Sequence, residues 1–326
     1  MKLDIVSMGV MGPFGRGHAQ LAAAIAAPVP PPAAWSLPRT GMIVPVRRVE
    51  DTLLQDPILN PARRAGRFIK MAMLAAADCL RDAAIAEPAK ERVGLVLVTG
   101  MGAHDINFGF VDGLLEFGMN QGSPTHFSHS VHNAATSYIA AMSGSRGPAL
   151  TITHFASPLH QGLDAAGLLL AGGACDHVML GAVDELGAFM LAIYAARGMI
   201  AGDGILRAKA LDAPIGIVPG EGAAFFLLTR PGENERRRCR IARAVAPVHP
   251  ATRLVLDHDG LWSRGAELPA AARGLPVACH NDVWGSFPAG GGMALAASLI
   301  LLEQTPQEYM LLHTHRPGVD PIEVIA

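Results

Sequence analysis

The stretch Thr151–Gly173, TITHFASPLHQGLDAAGLLLAGG, decides how the chain is read. Its β-branched start, Thr151-Ile152-Thr153, suits a strand. A short turn follows, His154-Phe155-Ala156-Ser157-Pro158. From Leu159 to Leu170 apolar residues recur at helical spacing. Many enzymes of α/β type set a nucleophile on such a strand, turn and helix. Here Ala156 stands at the centre of the turn, and a methyl group is no nucleophile. Pro158 fits the first helical turn, where its missing N–H is no loss. Ser157 before it is expected to cap the helix. His154 and His160 flank Ser157, but the surroundings are not a GxSxG elbow.

The alternation continues in both directions. Residues 3–10 and 93–100 read as strands, the second a near-continuous apolar run that suits a strand covered on both faces. Residues 66–86 show apolar positions at helical spacing and stop before Pro88. Residues 28–45, with four prolines between Pro28 and Pro32, read as loop. Residues 102–130 mix Gly, His, Asn and Phe and read as a long functional loop with short helices. A helix is expected over 133–142. Downstream, strands are expected over 177–182, 215–218, 223–228, 253–256, 276–279 and 309–313. Helices are expected over 188–197 and 293–302. Strands and helices alternating throughout define an α/β fold.

Half of the 326 residues are hydrophobic, 17% are charged, and the formal net charge is −2. The mean hydropathy is +0.30. The longest apolar runs, such as Leu163–Ala171, fall short of the roughly 20 residues a membrane-spanning helix needs. No membrane partner is expected. The start, MKLDIVSMGVMG, lacks the apolar stretch and cleavage site of a secretory signal. The apolar excess reads instead as a large core plus an extensive subunit interface. No basic face for nucleic acid is indicated. The cluster Arg236-Arg237-Arg238 with Arg240 reads as solvated surface. Cys79, Cys175, Cys239 and Cys279 are scattered without a CxxC pair, so neither a zinc site nor a disulfide framework is expected. A reduced, cytoplasmic compartment fits.

Four segments, in order, resemble the β-ketoacyl synthase family of thiolase fold. They are IVSMGVMGPFG (5–15), the stretch from GPALTIT to GAVDE (147–185), GIVPGEGAAFFLLTR (216–230) and GSFPAGGGMALAAS (285–298). SPTHFSHSVHNAATSYIAAMSG (123–144) is similar to the subgroup known as chain-length factors. The chain is shorter than a usual member. The resemblance implies an α/β, thiolase-like fold of two similar halves, 1–195 and 196–326, stacked in α-β-α-β-α layers. Active members use a Cys at a helix start, where amides and the macrodipole favour the thiolate. It takes an acyl group from an acyl-carrier protein. Two His and a Lys then support decarboxylation and attack on the acyl-enzyme.

Carried over by segment, the nucleophile position falls on Ala156, the second His on Ser286 and the Lys on Asn281. His258 in LVLDHDG is a possible remnant of the first His. The resemblance therefore implies a non-condensing subunit. Its expected partners are an active ketosynthase, as a heterodimer, and an acyl-carrier protein. Its expected role is to shape the acyl tunnel in fatty-acid, polyketide or polyene-type synthesis, with no cofactor and no metal. Phe108, Met119 and Phe127 are candidates for tunnel or interface; core packing is the plainer reading of that aromatic cluster. Two other functions stay open. One is a stand-alone acyl-thioester transferase or hydrolase using His154, Ser157, His258 or Ser286. The other is a homodimeric scaffold for the carrier protein. Glu221, between Gly220 and Gly222, is expected in a tightly packed turn. Gly290-Gly291-Gly292 lacks the Lys-Ser/Thr of a phosphate loop.

Overall fold

The computed structural model describes residues 1–38, 40–85, 91–206, 216–234, 236–244, 249, 252–257, 274–306, 309–314 and 319–326. Among them the strands are β1 (Lys2–Gly12), β2 (Gly15–Arg16), β3 (Ala33–Ser36), β4 (Ile43–Val46), β5 (Val93–Thr99), β6 (Ala149–Thr153), β7 (His177–Asp184), β8 (Gly222–Thr229), β9 (Cys239–Arg243), β10 (Thr252–Asp257), β11 (Val277–Ala278), β12 (Tyr309–Thr314) and β13 (Ile322–Ile325). The helices are α1 (His18–Ala26), α2 (Arg67–Ala83), α3 (His104–Phe117), α4 (Pro124–Ser130), α5 (Ala134–Ser143), α6 (Pro158–Ala171), α7 (Ala188–Ala196), α8 (Asn281–Trp284) and α9 (Gly291–Gln304).

One path of pairing runs β6-β5-β7-β8-β1 and continues β9-β13-β12-β10-β11. Each half uses its strands in the same order: third, second, fourth, fifth, first. The directions repeat as well. In both halves the second strand pairs in parallel with the third and fourth, and the fifth pairs antiparallel with the fourth and first. The two similar halves expected from the sequence are therefore present in the topology. The first half's fifth strand, β8, lies past residue 195, so the strand repeat changes over between Thr229 and Cys239. The seam is the pairing of Lys2–Ile5 with Ala242–Cys239. It is clamped by buried Asp4, which accepts from Arg240 Nε at 2.7 Å.

Successive residues of a strand face opposite layers. In β5, Leu95 and Leu97 join α2 and α5, whereas Val96 and Val98 face α6 and α9. On the second half Val255 and Leu312 face the same central helices, and Leu254 and Leu311 face away. Described layers thus run helix, sheet, helix, sheet. The connection after β10, 258–273, lies outside the described residues. Both central helices approach their strands through glycine. A Cβ on Gly162 would lie 2.6 Å from Leu180 and Val98, and one on Gly292 would lie 2.5 Å from the Ala182 Cβ.

Two expected loops contain regular structure. Ala33–Ser36 pairs with Ile43–Val46 as a hairpin inside 28–45. The 102–130 segment holds a helix of 14 residues, His104–Phe117. Of the strand expected over 215–218, residue 215 lies outside the described residues and Ile217 makes an isolated bridge to Ile200. Among the described residues no helix is long and apolar enough to cross a membrane.

Candidate functional site

The turn after β6 is closed by a side chain. His154 donates its backbone N–H to Thr99 O at 3.0 Å, which fixes the turn to β5. Its ring then folds back. Nδ1 accepts the N–H of Ala156 at 3.2 Å and that of Ser157 at 3.0 Å. Accepting at Nδ1 leaves the ring proton on Nε2. Ser157 holds the N-cap position of α6, but its hydroxyl makes no capping bond. This corrects the expected side-chain cap: the serine hydroxyl caps nothing, and the imidazole closes the turn ahead of the helix through the backbone of Ala156 and Ser157. The arrangement is a turn whose two amides just before the helix already have an acceptor, beside the methyl of Ala156.

The same end of the first half is tied to the second by Asp184, at the end of β7. This carboxylate is fully buried. Its Oδ1 accepts from Thr99 Oγ1 at 2.6 Å, Gly100 N at 2.9 Å and Met101 N at 3.0 Å, and its Oδ2 from Ala289 N at 2.8 Å. Burial pushes its pKa up, while those hydrogen bonds pull the other way. Ala289 belongs to the Pro288–Gly290 turn that opens α9. Ala156 and the Gly-rich turn thus sit at the same strand ends.

Glu185 joins two helix starts, accepting Phe68 N at 3.0 Å from α2 and Asp105 N at 2.9 Å from α3. Burial pushes its carboxyl up to about 8 against the pull of the amides. His104 Nδ1 lies 3.8 Å away, and burial holds that imidazole below its usual range. Glu221 accepts Val49 N at 2.8 Å, Leu186 N at 2.9 Å and the Arg67 guanidinium. It anchors a turn, as expected, and a Cβ on Gly220 would lie 2.0 Å from Trp284 O. Neither Arg67 nor Asp184 stood out in the sequence. Each is one charged residue at the border of an apolar element, and its partners lie far along the chain.

In the second half, Asn281 opens α8 and is fully buried. Its Nδ2 donates to Asp257 Oδ1 at 3.0 Å, and Cys279 Sγ donates to its Oδ1 at 3.5 Å. An amide in this place holds Asp257 without carrying a charge. Ser286 is held by its backbone, with N to Val218 O at 2.8 Å and O accepting Gly220 N at 3.1 Å. Among the described residues its buried hydroxyl has no hydrogen-bond partner, and neither has the buried Trp284 Nε1. His258 lies outside the described residues. The structure thus brings Asn281 together with Asp257, and sets Ser286 on the turn behind them. Among the described residues no group of three or more His, Cys, Asp or Glu is placed to hold a metal ion.

The aromatic cluster of 101–130 is not core. Phe108 stacks on Phe189 with centroids 3.6 Å apart. Phe127 is 60% exposed and tilts against Phe110, and Met119 is 81% exposed. Leu115 and Phe117 are open as well. These residues lie on α3, α4 and the turn between them. Alongside, α5 packs on β6, the edge strand of the first half, where Leu150 is 42% exposed. Phe155, in the turn beyond, is 54% exposed.

No curated protein matched the sequence. Solved structures match its fold from end to end. A β-ketoacyl synthase from Burkholderia phymatum STM815 has a TM-score of 0.79 at 14% identity, over 99% of this chain and 98% of that one. The ishigamide ketosynthase/chain length factor has a TM-score of 0.73 at 18% identity, over 99% and 98%. The ketosynthase ApeO in complex with its chain length factor ApeC, from Xenorhabdus doucetiae, has a TM-score of 0.73 at 14% identity, over 99% and 96%. The fold is thus the thiolase-like fold of the ketosynthases. The family model for the β-ketoacyl synthase N-terminal domain matches residues 43–233, ending between β8 and β9. Those residues carry the elbow at Ala156, the Asp184 tie and the Glu221 turn, and with more than half of its length matched the chain belongs to the β-ketoacyl synthase family.

Proposed function

We propose that this chain is a non-condensing ketosynthase-like subunit, a chain-length factor. It pairs with an active β-ketoacyl synthase and helps shape the tunnel for an acyl chain on a carrier protein. The observation that carries this reading is the closed elbow. Ala156 cannot form a thioester, and His154 takes the amides of Ala156 and Ser157. In an active synthase the neighbouring helix start favours a thiolate. Asn281 and Ser286 in the places of Lys and His support the same conclusion.

The exposed surface supports the pairing. Among the described residues β6 leaves one edge unpaired. Unpaired strand edges invite a further strand. Leu150, Phe155, Phe127 and Met119 give that side an apolar character that suits a permanent interface. Phe108, Met119 and Phe127 would form its tunnel or interface wall. The solved relatives include ketosynthases with chain length factors, and one bound to a type II carrier protein.

The test is co-expression with a ketosynthase from the same source. A stable one-to-one complex is expected, with product length changed by Phe127→Ala or Met119→Ala. A homodimer that turns over acyl thioesters alone would overturn the reading and favour the transferase or hydrolase alternative. So would condensation by Ala156→Cys without a partner.

A further inference from the structure

A cavity of about 380 Å³ opens between α1, the Pro28–Pro30 segment and α8. No elbow residue lines it. Phe14, Ala24, Val29 and Val283 make an apolar wall, and Gln20 and Arg47 are its polar members. Ala23, Ala24 and Ala27 follow the helical repeat, so α1 turns its small side chains toward the space.

Arg47 is the unusual member. Its backbone is fixed on both sides, N donating to Pro219 O at 2.8 Å and O accepting Glu221 N at 3.2 Å. The guanidinium is partly buried, and one terminal nitrogen donates to Pro30 O at 2.7 Å. Its Nε is buried with no hydrogen-bond partner among the described residues. Among the described residues no carboxylate lies within ion-pair distance. Asp282 is the opposing charge it feels, and burial holds its pKa below the usual arginine range. A guanidinium stays charged in a protein. A charge removed from water is costly until something pairs with it.

We propose that this cavity binds a small organic monocarboxylate with a hydrocarbon body, its carboxylate on Arg47 and its body against Phe14, Val29 and Val283. The planar fork of arginine matches a carboxylate. The volume lies within the range of small-molecule pockets, which are mostly apolar with few placed polar groups. Asp282 favours a monoanion over a dianion such as phosphate. The apolar wall favours a hydrocarbon body over an inorganic ion. This site is independent of the elbow and of the partner proposed above.

The test is calorimetric titration of the full-length protein, in its complex if it forms one, with octanoate, octanol and acetate. Octanoate is expected to bind at least about tenfold better than either comparator. Losing a charge-assisted hydrogen bond predicts that Arg47→Gln weakens octanoate by roughly tenfold to a hundredfold. Octanol binding should be unchanged in that variant, and Arg47→Lys should restore part of the octanoate affinity. Ala24→Phe fills the cavity and should remove both ligands. No octanoate binding, or equal binding of octanoate and octanol, overturns the proposal. Octanoate binding that survives both Arg47→Gln and Ala24→Phe places the ligand elsewhere and overturns it too. Should Arg47→Gln fail to fold, Ala24→Phe carries the same decision.

Discussion

The two halves repeat one strand order, yet their strand ends differ in chemistry. In the first half, Asp184 has four donors and Glu221 has two amides and a guanidinium. In the second half, the Ser286 hydroxyl and Trp284 Nε1 are buried without a hydrogen-bond partner among the described residues. The first set joins strands, turns and the other half, so its loss would disturb the architecture. Ser286 is held through its backbone, and its side chain is free to vary. Asp184 and Glu221 hold the shape with paired oxygens, whereas the side chains of Ser286 and Trp284 add no hydrogen bond among the described residues.

This contrast can be broken most severely at Asp184. Asp184→Ala leaves three backbone amides and the Thr99 hydroxyl without their acceptor. Each buried unsatisfied group costs about 1–3 kcal/mol, so a loss above roughly 3 kcal/mol is expected in urea denaturation. A loss below about 1 kcal/mol would show that water replaces the carboxylate, and the contrast between halves would fail.

Glu185 makes the same point through pH. Its folded pKa, about 8, lies above the ordinary 4.5. The folded state therefore binds this proton more tightly than the unfolded chain. The stabilisation is full below about 4.5 and is lost as pH rises toward 8, a loss of a few kcal/mol at most for one group. Burial shifts Asp184 in the same direction. Denaturation midpoints at pH 5, 6.5 and 8 should fall for the native chain and fall less for Glu185→Gln. An equal slope in the two proteins would remove Glu185 as the cause.

A smaller effect separates His154 from Ser157. If the imidazole holds the turn, His154→Ala should cost about 1 kcal/mol, the size of a lost intramolecular hydrogen bond. Ser157→Ala should cost less than about 0.5 kcal/mol. The reverse ranking in thermal unfolding would restore the serine cap.

The smallest effect belongs to Ser286→Ala. Removing a buried hydroxyl that has no partner should be neutral or stabilising by up to about 1 kcal/mol. Marked destabilisation would mean the hydroxyl has a role in the folded protein, and the contrast between halves would narrow.

The elbow was legible because it is local. Three β-branched or apolar strand residues, a turn and a helical repeat occupy one short stretch. The Ser157-Pro158 pair follows the usual capping pattern, and pattern alone does not show that the serine hydroxyl goes unused while the preceding imidazole holds the two amides before the helix. The hairpin at 33–46 was hidden by its run of prolines, and α3 by Gly109 and Gly113, both poor helix formers. The exposure of Phe127 and Met119 was illegible for another reason. Apolar residues that serve a subunit interface have the composition of a core. Glu221 could be placed in its turn from Gly220 and Gly222, but its partner Arg67 lies on a helix far earlier in the sequence. Only the assembled sheet brings them together.

β1 borders both halves, pairing with β8 along one edge and β9 along the other. It precedes both of these neighbours by more than half of the sequence. Met11 must wait for Ala223, and Leu3 for Ile241. Pairing across such long stretches is slow and leaves an apolar strand open meanwhile. Until β8 and β9 arrive, the first half lacks its closing pair and the seam between the halves stays open.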